Sequence, residues 1–297
     1  GGFVGRNLCE TLKTAGCTEL LCFEKGDTPE TLAEYCRRAA FVVHLAGINR
    51  PKDVSEFATG NAGLTETVCS LLTEYGNKAP VVLSSSTQAA LDNPYGQSKR
   101  AAENVVLAHG ERTGAPAYVF RLTNVFGKWS QPNYNSAVAT FCHNIARGQE
   151  IKINDPASPL KLVYVDDVVE AFIGLLPATA PSGFVQAGPE YDTTVGQVAD
   201  TIRGFAASRA SMITDRVGTG LVRALYSTYL SFLPTESFAY SVVKHSDPRG
   251  DFVEMLKTPD CGQFSYFTSH PGVTRGEHYH HTKTEKFMVL KGTAHFG

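Results

Sequence analysis

No stretch of this 297-residue chain is apolar for the length a membrane span requires, so no membrane association is expected. It also lacks a charge excess. The 27 Lys and Arg residues nearly balance 29 Asp and Glu, leaving a net charge of −2. That excludes a broad basic surface for nucleic acid and leaves room for a local pocket that takes a phosphorylated ligand. There is no Cys-x-x-Cys pair. The 7 cysteines are scattered and odd in number, as in reduced thiols of a cytoplasmic protein rather than a disulfide framework. An initiating methionine is missing as well. The chain opens inside a glycine loop and stops at Ala294-His295-Phe296-Gly297, within a strand-like run, so it reads as truncated at both ends. What is present describes a globular protein: 42% hydrophobic and 19% charged, long enough for two domains and a sizeable core.

Residues 81–99 organise the rest. An apolar β run, Val81 to Leu83, ends in Ser84-Ser85-Ser86. Tyr95 and Lys99 follow, four positions apart, with Asp92, Asn93 and Pro94 as helix-start residues before them. Four positions put Tyr95 and Lys99 on one helix face. A serine at a strand end beside a Tyr–Lys pair suits hydride chemistry on a carbonyl. Ser86 would hydrogen-bond the carbonyl oxygen and Tyr95 would give or take its proton. A free phenol has a pKa of about 10, and the Lys99 ammonium is expected to draw it down.

Two stretches upstream suit a nucleotide cofactor. Gly1-Gly2-Phe3-Val4-Gly5 reads as the later part of a glycine turn that runs into a helix, where backbone N–H groups meet a pyrophosphate. Leu20 to Phe23 reads as a short strand ending at Glu24-Lys25. Glu24 would bond the ribose hydroxyls of NAD, whereas Lys25 would meet the 2′-phosphate of NADP. Phe41 to Gly47 is a nearly unbroken apolar strand, and its small end residues, with Leu45, Ala46 and Gly47, allow close approach of a cofactor. His44 within it is expected to be structural.

Beyond Lys99, strand and helix patterns alternate. Strands are expected at 118–122, at Ile151 and Ile153, at 163–165 and at 184–187, with helices over Val138 to Ile145, after Asp166-Asp167, and over Val195 to Phe205. The fold class is therefore α/β with a doubly wound parallel sheet. Asn124, at a strand end, and Asn133 and Asn135, in a polar aromatic loop, are candidate substrate contacts. After a helix running to about Phe232, Pro234 breaks the pattern and the period becomes two. In that β region Gly272, His278, His280, Glu285 and Gly292 stand at fixed spacing. Two histidines two apart on a strand share a face, and Glu285 completes a set able to hold a divalent metal. The competing reading is a solvated run of polar residues.

Gly2-Phe3-Val4-Gly5, His44-Leu45-Ala46-Gly47, Ser84-Ser85-Ser86, Tyr95…Lys99, Arg121…Asn124-Val125-Phe126-Gly127 and Tyr164-Val165-Asp166-Asp167 together resemble the extended short-chain dehydrogenase/reductase family. By position Ser86 matches the family's catalytic serine, with Ser85 as the fallback. The histidine–glutamate spacing is similar to the first cupin motif. Asp247-x-Arg249-Gly250-x-Phe252-x-Glu254 resembles the opening strand of deoxysugar-nucleotide epimerase cupins, where the arginine meets a nucleotide phosphate; a surface turn with a salt bridge is the alternative. A reductase (1–235) followed by a partial cupin (236–297) resembles the CapF-type family of bifunctional enzymes of capsule and O-antigen synthesis. That resemblance implies NADPH as cofactor, with NADH as the alternative, and Zn2+ held by His278, His280 and Glu285. It implies a UDP-linked 2-acetamido-2,6-dideoxy-4-hexulose as substrate. The cupin would epimerise C3 and the reductase would reduce the C4 ketone, on the route to N-acetylfucosamine. A cytoplasmic homodimer is expected. The competing functions are a nucleotide-sugar 4-epimerase or 4,6-dehydratase, and a non-catalytic NADP-sensing module with a dimerising cupin. A dehydratase needs a carboxylate near the serine, and Thr87-Gln88 offers none there.

Overall fold

A computed structural model describes residues 1–49, 53 and 57–297. The chain divides into two units, Gly1–Ala239 and Tyr240–Gly297. Among the described residues, no helix is long and apolar enough to cross a membrane.

The first unit opens with helix α1 (Phe3–Thr14), whose N-cap is Gly2. Helix α2 (Pro29–Arg38) is capped by the Thr28 side chain, with Pro29 at its first position, and buries Leu32 and Cys36. Strand β1 (Val42–His44) is followed by a π-helical turn (Ala58–Gly63) that runs into α3 (Leu64–Glu74). Strand β2 (Val81–Ser86) leads through a 3-10 turn (Thr87–Ala90) to α4 (Pro94–Thr113). Strands β3 (Ala117–Leu122) and β4 (Asn124–Phe126) follow, then α5 (Ala137–Ile145), β5 (Pro159–Tyr164) and α6 (Val165–Ile173). The unit closes with β6 (Gly183–Phe184), β7 (Glu190–Thr194), α7 (Val195–Ser211) and α8 (Gly220–Phe232).

Strands β1, β2, β3 and β6 form one parallel sheet in that order. Alternation along the strands sends side chains into two cores, one on each face. Val81, Leu83, Ala117 and Val119 pack with Leu72 and Val106 from α3 and α4. Val82, Tyr118, Phe120 and Leu122 pack on the opposite face with Phe172 and Leu8. This is the doubly wound arrangement expected from the apolar runs, and all β2 side chains from Val81 to Leu83 are buried. A second sheet, β4-β5-β7, pairs β4 and β5 in parallel and β5 and β7 antiparallel.

The structure corrects several expectations. Leu20–Phe23 carries no strand, and neither do Ile151 and Ile153. A strand exists by pairing, and among the described residues nothing pairs with either segment; Ile151 and Ile153 instead pack as isolated apolar contacts on the larger core. The run 184–187 is reduced to β6, and β7 is an additional strand. Asp166 and Asp167 lie in the first turn of α6 and do not cap it; Tyr164 occupies the N-cap position without a side-chain bond.

In the second unit β8 (Lys244–Asp247), β9 (Gly250–Thr258) and β10 (Gly262–Phe267) form an antiparallel meander in the order β10-β9-β8. Its first hairpin turns at Pro248 and Arg249, joining Asp247 to Gly250. Gly250 has a φ of 134° and packs against the backbone of Thr268, a place where a side chain would collide. Residues 273–297 carry no strand, so His278 and His280 do not sit on one. Tyr279 between them is exposed, as are Met288 and Leu290 further on; alternation alone makes no strand where no partner edge is paired with it.

The edge-on contact of Phe120 and Phe172, with ring centroids 4.8 Å apart, joins β3 to α6 at full burial. Phe172→Ala is expected to lower the unfolding free energy by about 3–5 kcal/mol in urea titration. A loss below about 1 kcal/mol would show that this packing is not as described.

Candidate active site

The site is assembled where β1 and β2 end against the start of α4. Asn93 caps α4 by accepting the Gly96 N–H at 2.7 Å, and Pro94 holds its first position. A side chain at Gly96 would collide with the carbonyl oxygens of Gln88 and Leu91, so glycine lets the helix start dock onto the turn after β2. That docking sets Tyr95 beside Ser86. The Ser86 hydroxyl accepts the Gln88 N–H at 3.2 Å, which orients it at the strand tip.

Burial raises the Tyr95 phenol above its ordinary pKa, while the Ser86 hydroxyl interacts with it and pulls the other way. The expected lowering by Lys99 is thus overturned in direction: the phenol rests protonated. Burial of the phenol decides the direction, and Lys99 is itself buried and seated on a backbone carbonyl. Its ammonium donates to the Ser84 carbonyl at 3.1 Å, and burial brings its pKa down to about 8, against a smaller upward pull from Glu103.

Ser85 is committed to structure. It donates to the Glu103 carboxylate at 2.5 Å, and Arg121 grips the same carboxylate with two bonds of 3.0 and 2.7 Å. Glu103 is almost wholly buried and the pair fastens α4 to β2 and β3. Ser86, half-buried at the strand tip, is left as the serine available for chemistry.

The cofactor candidates come together in part. A Cβ on Gly5 would touch Leu45 at 3.6 Å, so the glycine turn lies against the end of β1. A Cβ on Gly47 would stand 3.1 Å from the Lys99 ammonium and 2.9 Å from the Asn61 amide oxygen. Glycine there lets the loop pass over the lysine. Gly2, Phe3, Val4 and Gly5 form the cap and first turn of α1, with no side chain capping the free N–H groups. A Cβ on Gly1 would stand 2.9 Å from the Glu24 carboxylate, so that carboxylate lies at the glycine turn. Lys25 is exposed beside it, and Ala46 is exposed next to Gly47. A bare helix N-terminus, a strand end of small residues and an acidic side chain between them fit the pyrophosphate and ribose of a dinucleotide.

Sequence reasoning missed Asn61 and Ser98. Asn61, 2% exposed, accepts the Ile48 N–H at 2.8 Å and donates to the Ile48 carbonyl at 3.1 Å and to Ser98 at 2.9 Å. Ser98 in turn donates to the Tyr95 carbonyl at 2.8 Å. The network ties the cofactor loop to the first turn of α4. Asn61 lies on the π turn, a departure from α geometry that often marks a working site. His44 is structural as expected: it is buried, bonded to Thr65 at 3.0 Å, and held neutral by burial at a pKa of about 4.

The substrate candidates are more dispersed. Asn124 donates to the Lys161 carbonyl at 2.9 Å. Asn133 and Asn135 are exposed, and Tyr134 between them donates to Asn49 at 3.0 Å, bringing their loop to the end of the β1 segment. In the second unit, Arg249 is folded back on Asp247, whose carboxyl it holds down at a pKa of about 2. The surface-turn alternative describes that geometry. His278 and His280 lie with ring centroids 4.8 Å apart, and His280 is 3.6 Å from Glu285, but Lys283 takes the same carboxylate at 2.6 Å. Among the described residues no three His, Cys, Asp or Glu side chains form a set able to hold a metal. The donor types suit a divalent cation; their present arrangement does not.

A doubly wound sheet with a glycine turn at the start of its first helix, and with a serine and a Tyr–Lys helix at a strand tip, defines a nicotinamide-dependent oxidoreductase. Residues 1–185 match the model of the NAD dependent epimerase/dehydratase family, and residues 245–297 match the polysaccharide biosynthesis C-terminal domain. The chain belongs to the NAD dependent epimerase/dehydratase family and is an enzyme. It is 54% identical over 296 residues to a UDP-2-acetamido-2,6-beta-L-arabino-hexul-4-ose reductase of Pseudomonas aeruginosa, covering 99% of this chain and 80% of that one. The crystal structure of the capsular polysaccharide assembling protein CapF from Staphylococcus aureus superposes with a TM-score of 0.84 at 41% identity, covering 95% of this chain and 77% of that one. A UDP-glucose 4-epimerase of Thermus thermophilus, solved with NAD, shares the fold at a TM-score of 0.62 and 19% identity, covering 78% of this chain and 96% of that one.

The Lys99 seat has a pH signature. Its folded pKa of about 8 lies below the ordinary 10.5, so between those values the unfolded chain binds more protons and stability rises with pH. Relative to Lys99→Met, the wild-type unfolding free energy is expected to gain roughly 3 kcal/mol between pH 7 and pH 10.5. A difference that stays flat across that window would contradict the buried ammonium.

Proposed function

We propose that the first unit reduces the C4 ketone of a UDP-linked 2-acetamido-2,6-dideoxy-hexulose, supplying a precursor of N-acetylfucosamine for capsule or O-antigen. The observation that carries this is the convergence of Ser86, Tyr95 and Lys99 at the strand tips, in a chain 54% identical to a reductase of such a hexulose. Bound in the cleft, the nicotinamide supplies hydride to C4; NADPH is the preferred form in this reading, with Lys25 at its 2′-phosphate. Ser86 donates to the ketone oxygen and orients it. Tyr95 gives its proton to that oxygen as charge develops there. Lys99, one helical turn on, keeps its charge at neutral pH and offsets the phenolate left behind. Asn124, Asn133 and Asn135 are assigned to the sugar nucleotide. Thr87 and Gln88 open the turn after Ser86 and bring no carboxylate beside it, which favours reduction over a 4,6-dehydratase.

The second unit is assigned C3 epimerisation of the same ketone, resting on the His278, His280 and Glu285 spacing and on its cupin resemblance. The ketone acidifies C3 by enolate stabilisation. Zinc on those three residues belongs to this proposal, and requires Glu285 to leave Lys283. Arg249 would meet the nucleotide phosphate on release from Asp247. A homodimer in the cytosol completes the reading.

Tyr95→Phe is expected to lower ketone reduction, followed as loss of NADPH absorbance, by about 10²–10⁴-fold, while C3 deuterium exchange persists. Reduction at the wild-type rate would remove Tyr95 as proton donor. Separately, His280→Ala should halve or abolish bound zinc in elemental analysis and slow C3 exchange, leaving reduction of the epimerised ketone intact. Equal zinc in variant and wild type would exclude His280 as a ligand.

A further inference from the structure

We propose that Glu103 is a positioning residue of the ketone reduction: its buried negative charge, one helical turn beyond Lys99, keeps that lysine protonated for the step in which Tyr95 gives up its proton. The inference rests on the reduction assigned above to Ser86, Tyr95 and Lys99.

Lys99 and Glu103 are four positions apart in α4, so they share a face, with their Cβ atoms about 5–6 Å apart. Both are buried, at 7% and 1% exposure, so solvent screens their attraction far less than that of a surface pair. Their ends stand over consecutive residues of β2. The ammonium donates to the Ser84 carbonyl at 3.1 Å, and the carboxylate accepts from the Ser85 hydroxyl at 2.5 Å. The carboxylate oxygens are taken by Ser85 and Arg121, so Glu103 acts on the lysine through its field and not through a bond. A glutamine could still accept from Ser85 and Arg121. What the carboxylate adds is its charge.

Among the described residues, the other groups that face the lysine give it no counter-charge. His44 on β1 is held neutral by burial, Asn61 on the π turn is uncharged, and Tyr95 on α4 rests as a phenol. β2 offers the Ser84 carbonyl, a dipole. Arg121 on β3 opposes the effect, but its side chain is 37% exposed against 2% for that of Glu103, so water screens the arginine more. Burial drives a lysine toward its neutral form, and Glu103 supplies the pull in the other direction. Without it, the ammonium that balances the phenolate would be lost nearer to neutral pH.

Glu103→Gln removes the charge and keeps the shape. In the full chain the Lys99 Cε resonance, identified by its loss in Lys99→Met, is titrated by 13C NMR. The alkaline limb of kcat/KM for ketone reduction is measured in parallel. Both midpoints are expected to fall by about 1 pH unit or more from the wild-type position of about 8. Arg121→Met leaves the carboxylate uncompensated and should move both midpoints upward; it decides the question where Glu103→Gln does not fold. A purely structural Glu103 would lower the rate at every pH and leave both midpoints in place, and that result overturns the inference. A Lys99 midpoint that moves while the limb stays fixed overturns the assignment of Lys99 to the reduction instead.

Discussion

The buried carboxylate of Glu103 holds the active end of the molecule in register. Tyr95, Lys99 and Glu103 recur every four residues and share one face of α4. That face meets the three serines at the end of β2 one by one. Glu103 takes the Ser85 hydroxyl, Lys99 takes the Ser84 carbonyl, and Tyr95 meets Ser86. Arg121, opposite Ser85 in the parallel register of β2 and β3, closes the arrangement with a two-point grip on Glu103. Such a pair is favourable only where every oxygen of the buried carboxylate is answered. Here three donors answer it, and the arginine remains 37% exposed, which reduces the desolvation on its side. A slip of one residue between helix and strand would break all three meetings at once.

Close approach is the second constraint. The helix start can reach the strand tip only because Gly96 leaves the Gln88 and Leu91 carbonyls clear. The lysine can lie under the cofactor loop only because Gly47 has no side chain. Asn61 then fixes that loop by both polar groups of Ile48 and passes the constraint through Ser98 to the backbone of Tyr95. The loop that follows β1 and the backbone of Tyr95 are therefore parts of one hydrogen-bonded unit.

Much of this was legible from residues 81–99, because local signals there agree with the fold: an apolar strand, an Asn–Pro helix start and an i, i+4 pair. The role of Glu103 was legible in principle as the next residue of that spacing, but a carboxylate on a helix ordinarily faces water, and its partners lie on two other strands. Asn61 carries no local signal of its bonds, which run to residues 13 and 37 positions away. Apolar periodicity misled wherever pairing decides the outcome. Leu20–Phe23 and Ile151–Ile153 have the pattern of strands but pair with nothing among the described residues, and neither does 278–280. β7 was missed for the opposite reason: Glu190–Thr194 is polar, and its place comes from the register with β5.

The resting state of the phenol follows from the same geometry. Spacing alone puts a cation one turn from Tyr95 and suggests an acidified phenol. Burial acts on both groups, and it favours the neutral form of each. Tyr95 is therefore held as a phenol, the form that a proton donor must start from, and Lys99 titrates at about 8, close enough to neutrality to stay largely charged at pH 7. The ammonium is seated on a carbonyl rather than spent on a carboxylate, so its charge remains available when negative charge arises on the phenol oxygen. In the proposed reduction the coupling between the two groups would belong to the step in which the proton leaves, where a water-poor seat makes it stronger than an exposed pair could.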